Sequence, residues 1–435
     1  MPAADSTAAI EAAYRVEFPR VVAVLAAFTG DISLAEELAQ DALVDALRQW
    51  PRDGAPDNPG AWLTAVGKRK AIDAFRRDRN LAAKYTQIGR ELETHTLGGE
   101  GDDATLDTVS DEEIDDDRLR LIFVACHPVL AVPARVALTL RLVGGLTVPE
   151  ISRAYVAPEA TIAQRIVRAK KAIARARVPF EIPVGADRAA RLGAVLEVLY
   201  LIFNEGYSAT AGEDWMRPEL CAEALRLGRV LASLMPDESE VHGLVALMEF
   251  QSSRLAARTD QTGAPVLLPD QDRHRWDRLH IGRGEAELAR ADELAPTRGP
   301  YALQAAIAAG HARAFRPEET DWVELVALYT ELARAMPSPI VELNRAVAVS
   351  RASGPAEALA LVDVLAATGT LDRYHLLYSV RGDLLDQLGR HAEAAAEFSR
   401  AAEMATNGPE RALLSGRARA SRALIAPDSG PPVFP

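Results

Sequence analysis

Cysteine is nearly missing: Cys126 and Cys221 are the only two in 435 residues. They are too few and too far apart for a disulfide framework or a zinc cluster, which fits a reducing compartment. Cys126 adjoins His127, but neighbours on a helix point in different directions, so the pair reads as a core thiol beside a helix-end imidazole. No metal and no cofactor are expected. Long hydrophobic runs are missing too. The most apolar stretch, residues 192–203, is interrupted by Glu197 and is too short to span a bilayer, so it reads as a buried helix and no membrane partner is expected. The opening MPAADSTAAIEAAY lacks the basic start and apolar core of a secretion signal, and the expected location is the cytoplasm. Sustained alternation with β-branched residues is absent throughout, whereas helical periodicity is present almost everywhere. The fold class is therefore all-α.

Spare positive charge is also lacking, with a net charge of -13, but its distribution matters more than the sum. Residues 1–90 balance, residues 91–117 carry twelve acidic and no basic residues, and residues 118–180 carry eleven basic against two acidic. A basic module sits inside an acidic protein, so nucleic-acid binding is not excluded. Five regions follow: a helical domain over 1–90, an acidic flexible linker over 91–117, a small basic helical domain over 118–180, a long helical region over 187–421, and a Pro-rich disordered tail over 422–435.

The basic domain holds a helix-turn-helix candidate, LTVPEISRAYVAPEATIAQRIVRAKKAIARAR. Thr147 and Glu150 can form a capping box with Pro149 opening the first helix, and Pro158 can open the second. Ile162, Ile166, Ala169 and Ile173 make the buried stripe of the second helix, while Gln164, Arg168, Lys171 and Arg175 line another face. A polar, basic face of this kind suits a major-groove reader; alone it equally suits a solvated helix. Upstream, SLAEELAQDALVDALRQW predicts a helix with Ser33 and Glu36 as capping box, an apolar stripe of Leu34, Leu38, Ala42, Ala46 and Trp50, and an outer face of Glu36, Glu37, Gln40, Asp41 and Asp45. Next comes NPGAWLTAVGKRKAIDAFRRDRN, capped by Asn58, with Trp62, Val66, Ile72 and Phe75 toward the core and Arg69, Lys70, Arg76 and Arg77 two turns apart, beside Lys68 and Arg79.

These three motifs in this order resemble the sigma-70 superfamily, specifically the compact extracytoplasmic-function (ECF) group that keeps only the second and fourth conserved regions. The resemblance covers residues 10–177. It implies that Glu37, Gln40, Asp41, Leu43 and Val44 meet core RNA polymerase at the β′ clamp helices, with the β subunit as a further contact. It implies promoter DNA as the second partner. Asn58, Trp62, Lys68, Arg69, Lys70, Arg76 and Arg77 would open and read the minus-ten element, with the loop 53–58 and Trp62 as the pocket for an extruded base. Glu159, Thr161, Gln164, Arg165, Arg168 and Lys171 would read the minus-thirty-five element, and the acidic linker would run through the basic channels of the polymerase core. The turn Val156-Ala157-Pro158 departs from the family in lacking Gly and a Ser or Thr cap.

Beyond residue 187 the basic bias ends. Residues 375–408 fit a tetratricopeptide (TPR) repeat, with Tyr378, Gly382, Leu385, Ala394, Phe398 and Ala401 at the small and large positions, and Ala358 stands one repeat before Ala394. An α-solenoid of four or five helix pairs is expected, offering a concave surface to a protein or signal partner. In LYLIFNEGY, Gly206 can cap a helix. Glu205, Asp272, His274 and Asp277 are scattered carboxylates and imidazole, so no enzyme is expected. The function read from the sequence is an alternative sigma factor with a helical-repeat extension. The alternative is a helix-turn-helix regulator that acts without polymerase.

Overall fold

The computed structural model describes residues 17–90, 111–155, 157–209 and 215–425. Among them every regular element is helical, apart from one antiparallel bridge between Thr259 and Pro265. The chain divides into two units, residues 1–198 and 199–435. This boundary falls inside a helix, well past the break expected near residue 187.

In the first unit, α1 covers residues 17–29. It is followed by α2 (Ile32–Asp53), α3 (Pro59–Arg90), α4 (Asp111–Ala125), α5 (Val132–Leu142), α6 (Val148–Tyr155), α7 (Glu159–Ala176) and the start of α8 (Gly185–Tyr207). The α4 helix starts at Asp111, inside the segment read as linker; residues 91–110 of that segment lie outside the described residues. Phe18, Val22, Leu25, Leu38, Ala42, Trp50, Leu63 and Ala71 form a core of α1 to α3. Among the described side chains of α3 the buried positions are Gly60, Leu63, Gly67 and Ala71, while Trp62, Val66, Ile72 and Phe75, expected to face the core, are half-buried. In α5, Cys126's neighbour across the chain is Thr139, whose hydroxyl lies 3.2 Å from the buried Sγ. His127 sits just past the end of α4, its Nδ1 accepting from the Val129 N–H at 3.1 Å. The first half of α8 packs on these helices: Arg191 donates to the Phe123 carbonyl at 3.1 Å, and Arg135 pairs with Glu197 at 3.0 Å.

The second unit continues from the rest of α8 through α9 (Pro218–Leu234), α10 (Ser239–Ser253), α11 (Arg278–Leu294), α12 (Pro300–Arg313), α13 (Trp322–Ala335), α14 (Pro339–Ser353), α15 (Pro355–Ala367), α16 (His375–Gln387), α17 (His391–Met404) and α18 (Gly408–Ala423). The α18 helix ends two residues into the stretch read as tail, and residues 426–435 lie outside the described residues. All six positions singled out over 375–408 are buried: Tyr378, Gly382, Leu385, Ala394, Phe398 and Ala401. A Cβ on Gly382 would come within 3.0 Å of the Phe398 ring, so the α16–α17 contact depends on a small residue facing a large one. Gly206 does not cap α8, which runs one residue further. It is glycine because a Cβ there would meet the Cys221 backbone nitrogen at 2.6 Å. Asn407 is buried. Its Oδ1 caps α18 through the Glu410 N–H at 3.2 Å, and its Nδ2 donates to the Ala209 carbonyl at 3.0 Å, which ties the last helix to the chain just after α8.

Candidate nucleic-acid and protein interface

The α2 helix is capped by Asp31, not by the expected box of Ser33 and Glu36: Asp31 Oδ1 accepts from the N–H groups of Ser33 at 2.6 Å and Leu34 at 3.2 Å. Starting the helix at Ile32 sets its faces. Ala35, Leu38, Ala39, Ala42, Leu43, Ala46 and Trp50 are buried. Glu37, Gln40, Asp41, Val44 and Leu47 are exposed, and their spacing of three and four residues puts them on one face. Of the five residues assigned to a protein interface, Glu37, Gln40, Asp41 and Val44 share this mixed acidic and apolar surface, whereas Leu43 belongs to the core. Leu47, 53% exposed, completes the face and was not singled out.

Glu36 was placed on the outer face and is instead buried. Its Oε1 accepts from Arg141 Nε at 2.6 Å and from Gln40 Nε2 at 3.0 Å, and its Oε2 is paired with Lys170 Nζ. Arg141 also donates to the Leu146 carbonyl at 3.0 Å and lies 5.5 Å from the Phe18 ring centre. One carboxylate of α2 is thus shared by a cation of α5 and a cation of α7. Burial of an ionised group requires such partners.

Basic residues of α3 divide into engaged and free ones. Lys70 pairs with Asp45 of α2 at 2.9 Å, and Lys68 lies 5.8 Å from the Phe28 ring centre. Arg69, Arg76 and Arg77 are exposed, the last donating Nε to the Asp73 carbonyl at 3.3 Å. Asn58 spends its Oδ1 capping α3 through the Ala61 N–H at 3.0 Å. Trp62 is half-buried and meets Trp50 edge-on with ring centres 5.5 Å apart.

The geometry of α6, the turn and α7 follows its sequence cues. Thr147 N–H donates to Glu150 Oε2 at 2.7 Å and Glu150 N–H to Thr147 Oγ1 at 3.4 Å, the reciprocal capping box. The turn that lacks Gly is closed by Ser152. Its hydroxyl donates to the Ala157 carbonyl at 2.5 Å, while Ala157 N–H returns to the Ser152 carbonyl at 3.1 Å. Pro158 stands at the cap position of α7 without a side-chain bond. Ile162, Ile166, Ala169 and Ile173 are the buried residues of α7. Glu159, Gln164, Arg168, Lys171 and Arg175 are exposed, and Thr161 and Arg165 are half-buried. Lys170, on the side of α7 turned to α2, escaped the sequence reading, as did Arg141.

A family model for sigma-70 region 2 matches residues 13–81, which contain the acidic face of α2 and the basic run of α3. The uncharacterized protein R00370 of Rhizobium meliloti (strain 1021) is 45% identical over 399 residues, covering 91% of this chain and 92% of that protein. The chain belongs to the same family as that protein, within the sigma-70 superfamily. The ECF RNA polymerase sigma factor SigK of Mycobacterium ulcerans (strain Agy99) is 28% identical over 148 residues, 34% of this chain and 74% of SigK. Residues 191–292 match a family of unknown function (DUF6596), a stretch that begins within α8 and ends in α11. A sigma-factor-like role in transcription initiation follows, and the superfamily is non-enzymatic. Among the described residues no helix is long and apolar enough to cross a membrane, and no group of His, Cys, Asp and Glu is placed to hold a metal ion.

Proposed function

We propose that this sigma-70 chain is an alternative sigma factor of the ECF type that works in the cytoplasm with core RNA polymerase. The observation that carries the reading is the pairing of faces in the region 2 match. An exposed acidic and apolar stripe on α2 (Glu37, Gln40, Asp41, Val44, Leu47) adjoins an α3 whose exposed cations, among the described side chains, are Arg69, Arg76 and Arg77. The first face is built to dock a basic protein surface such as the β′ clamp helices; the second is built to hold phosphates. An operator-binding regulator has no use for the first.

In this reading the minus-ten element is held by Arg69, Arg76 and Arg77, with Lys68 and Lys70 behind them, and Trp62 stacks on an extruded base beside the loop 53–58. The minus-thirty-five element is read by Gln164 with Glu159, Thr161 and Arg165 near base edges, while Arg168 and Lys171 hold the backbone. The helix pairs of the second unit form a TPR-like repeat domain that binds a protein or signal partner and regulates activity. Run-off transcription with purified core polymerase on a genomic promoter library tests the function. Discrete start sites that vanish without the chain are expected. A chain that binds defined DNA sites with no transcripts would replace this reading with an operator-binding regulator.

A further inference from the structure

Between α10 and α11 the chain passes through short 3-10 turns, and this passage turns three arginines inward. Arg273 is buried, with Nη1 donating to the carbonyls of His311 and Ala314 at 2.9 Å each and Nη2 to Thr320 Oγ1 at 3.1 Å. It thereby serves the orphan carbonyls at the end of α12. Arg258 is buried with its guanidinium 3.5 Å from the Tyr207 ring centre and bonds the Tyr207 carbonyl at the end of α8. Two of the three charges are thus placed at helix C-termini.

Arg254 is placed differently. Its Nη2 donates to the Tyr207 hydroxyl at 2.7 Å and to Gln251, and its guanidinium lies 5.7 Å from the ring centres of both Tyr207 and Trp276. The other edge of the guanidinium, Nε and Nη1, makes no hydrogen bond among the described residues. No described carboxylate lies within ion-pair distance of any of the three arginines. Glu318 and Glu319, acidic neighbours of Arg273, stand on an exposed turn.

Further donors beside Arg254 are buried without partners: Trp276 Nε1, Arg273 Nε and His311 Nδ1. Arg273 lies 5.1 Å from the Trp276 ring centre. His311 is pushed down to about 3 by burial first and then by Arg254 and Arg273, so it stays neutral and adds no charge. Tyr200 and Tyr329 are half-buried and pack against the core cluster that holds Trp276, and burial pushes the Tyr329 phenol up to about 12. Orphaned buried donors destabilise the state that leaves them unpaired. Grouped around a guanidinium with no counter-charge, they form a set that a negatively charged acceptor would complete.

We propose that this cluster of donors binds an organic carboxylate, whose oxygens take the open edge of Arg254 and the N–H groups of Trp276 and Arg273, and whose apolar body rests on Tyr200 and Tyr329. A guanidinium edge matches a planar carboxylate in two parallel bonds. The same chemistry is offered by a small free acid and by the C-terminus of a peptide. The site stands independently of the sigma-factor reading, and no polymerase enters its test.

The test titrates the full chain with benzoate, with a short Phe-ending peptide carrying a free carboxylate, and with the same peptide amidated, reading tryptophan fluorescence and melting temperature. Saturable binding that raises the melting temperature is expected for benzoate, for the free-acid peptide or for both, and not for the amide. Binding of benzoate alone identifies a small acid; binding of the peptide alone identifies a C-terminus. Arg254→Gln should weaken the bound carboxylate by about tenfold or more. Tyr329→Phe, which removes one hydroxyl, should weaken it less and keeps the test informative if Arg254→Gln fails to fold. The proposal is overturned by no saturable binding of either carboxylate, by equal binding of the amide, or by natively folded Arg254→Gln that binds like the parent.

Discussion

Nε of Arg141 lies 2.6 Å from Oε1 of Glu36, and both side chains are shielded from water. With Lys170 on the other oxygen, the carboxylate joins α2 to α5 and α7. A buried pair of this kind is poor evidence for net stability, but removing one member leaves the others as uncompensated buried charges, at roughly 3–5 kcal/mol. Glu36→Gln should therefore destabilise the first unit by several kcal/mol in urea unfolding. Glu36→Leu combined with Arg141→Leu and Lys170→Met should regain most of that loss. Small-angle scattering on Glu36→Gln should also report a larger radius of gyration, because α2 and α7 lose their shared charge. Unchanged stability and radius would mean that the triad holds nothing.

The outward face of α2 gives a separate prediction, since Glu37 and Asp41 are exposed and capping is done by Asp31. Charge reversal at both should cost little stability, within about 0.5 kcal/mol as for ordinary surface sites. Co-purification with core polymerase should nevertheless be lost. Retained co-purification by the double variant would remove this face from the interface.

The contrast between Glu36 and Glu37 shows how much of the site was legible beforehand. Glu36 stands in register with Ile32, Ala39 and Leu43, at steps of four, three and seven, so its place on the buried stripe was available from the sequence. It was misassigned because a capping box beginning at Ser33 was preferred to Asp31, which rotated the reading of the first turn. The buried side of α7 matches the sequence pattern residue by residue, because four apolar positions at strict helical spacing leave no freedom. Lys170 and Arg141 were invisible for a different reason: their role depends on a carboxylate more than a hundred positions away, which no local pattern encodes. The inward-turned arginines of the second unit were missed likewise. DRHRWDRLH is distinctive as a string, but only the fold brings Arg273 to the end of α12 and Arg254 beside Trp276.

Burial pushes the thiols of Cys126 and Cys221 up to about 12. Both should resist iodoacetamide at pH 8 in the folded chain and react once the chain is unfolded, read by mass spectrometry. The sign of the linkage is fixed by the direction of the shift. The folded chain holds these protons when the unfolded chain, with thiols near 9, has already released them, so stability is fully present below about pH 9 and falls as pH rises toward 12. The slope contributed is about 1.4 kcal/mol per pH unit for each thiol in that window. Replacing Cys126 by Ala should flatten the alkaline limb by that share; an unchanged limb would show that the thiol does not ionise on unfolding.

Gln164 and Lys171 occupy the same exposed side of α7, two turns apart, but at different distances from its N-terminus. In a major-groove docking the N-terminal residues of such a helix approach base edges, and later cations approach phosphates. An amide side chain can donate and accept at once, so Gln164 carries sequence information that a lysine does not. Gln164→Ala should relax preference at one position of the upstream promoter element, with about 1–3 kcal/mol of discrimination lost there and little change elsewhere. Lys171→Ala should weaken binding evenly across sequences and lower the slope of log K against log salt by about one. Lys170→Ala differs from both, because its partner is Glu36 and not DNA: its first effect should be on the stability of the unit. Binding selections over a randomised promoter, repeated at three salt concentrations for each variant, separate the three outcomes. Identical specificity profiles and salt slopes for Gln164→Ala and Lys171→Ala would show that the exposed face of α7 is only a solvated surface.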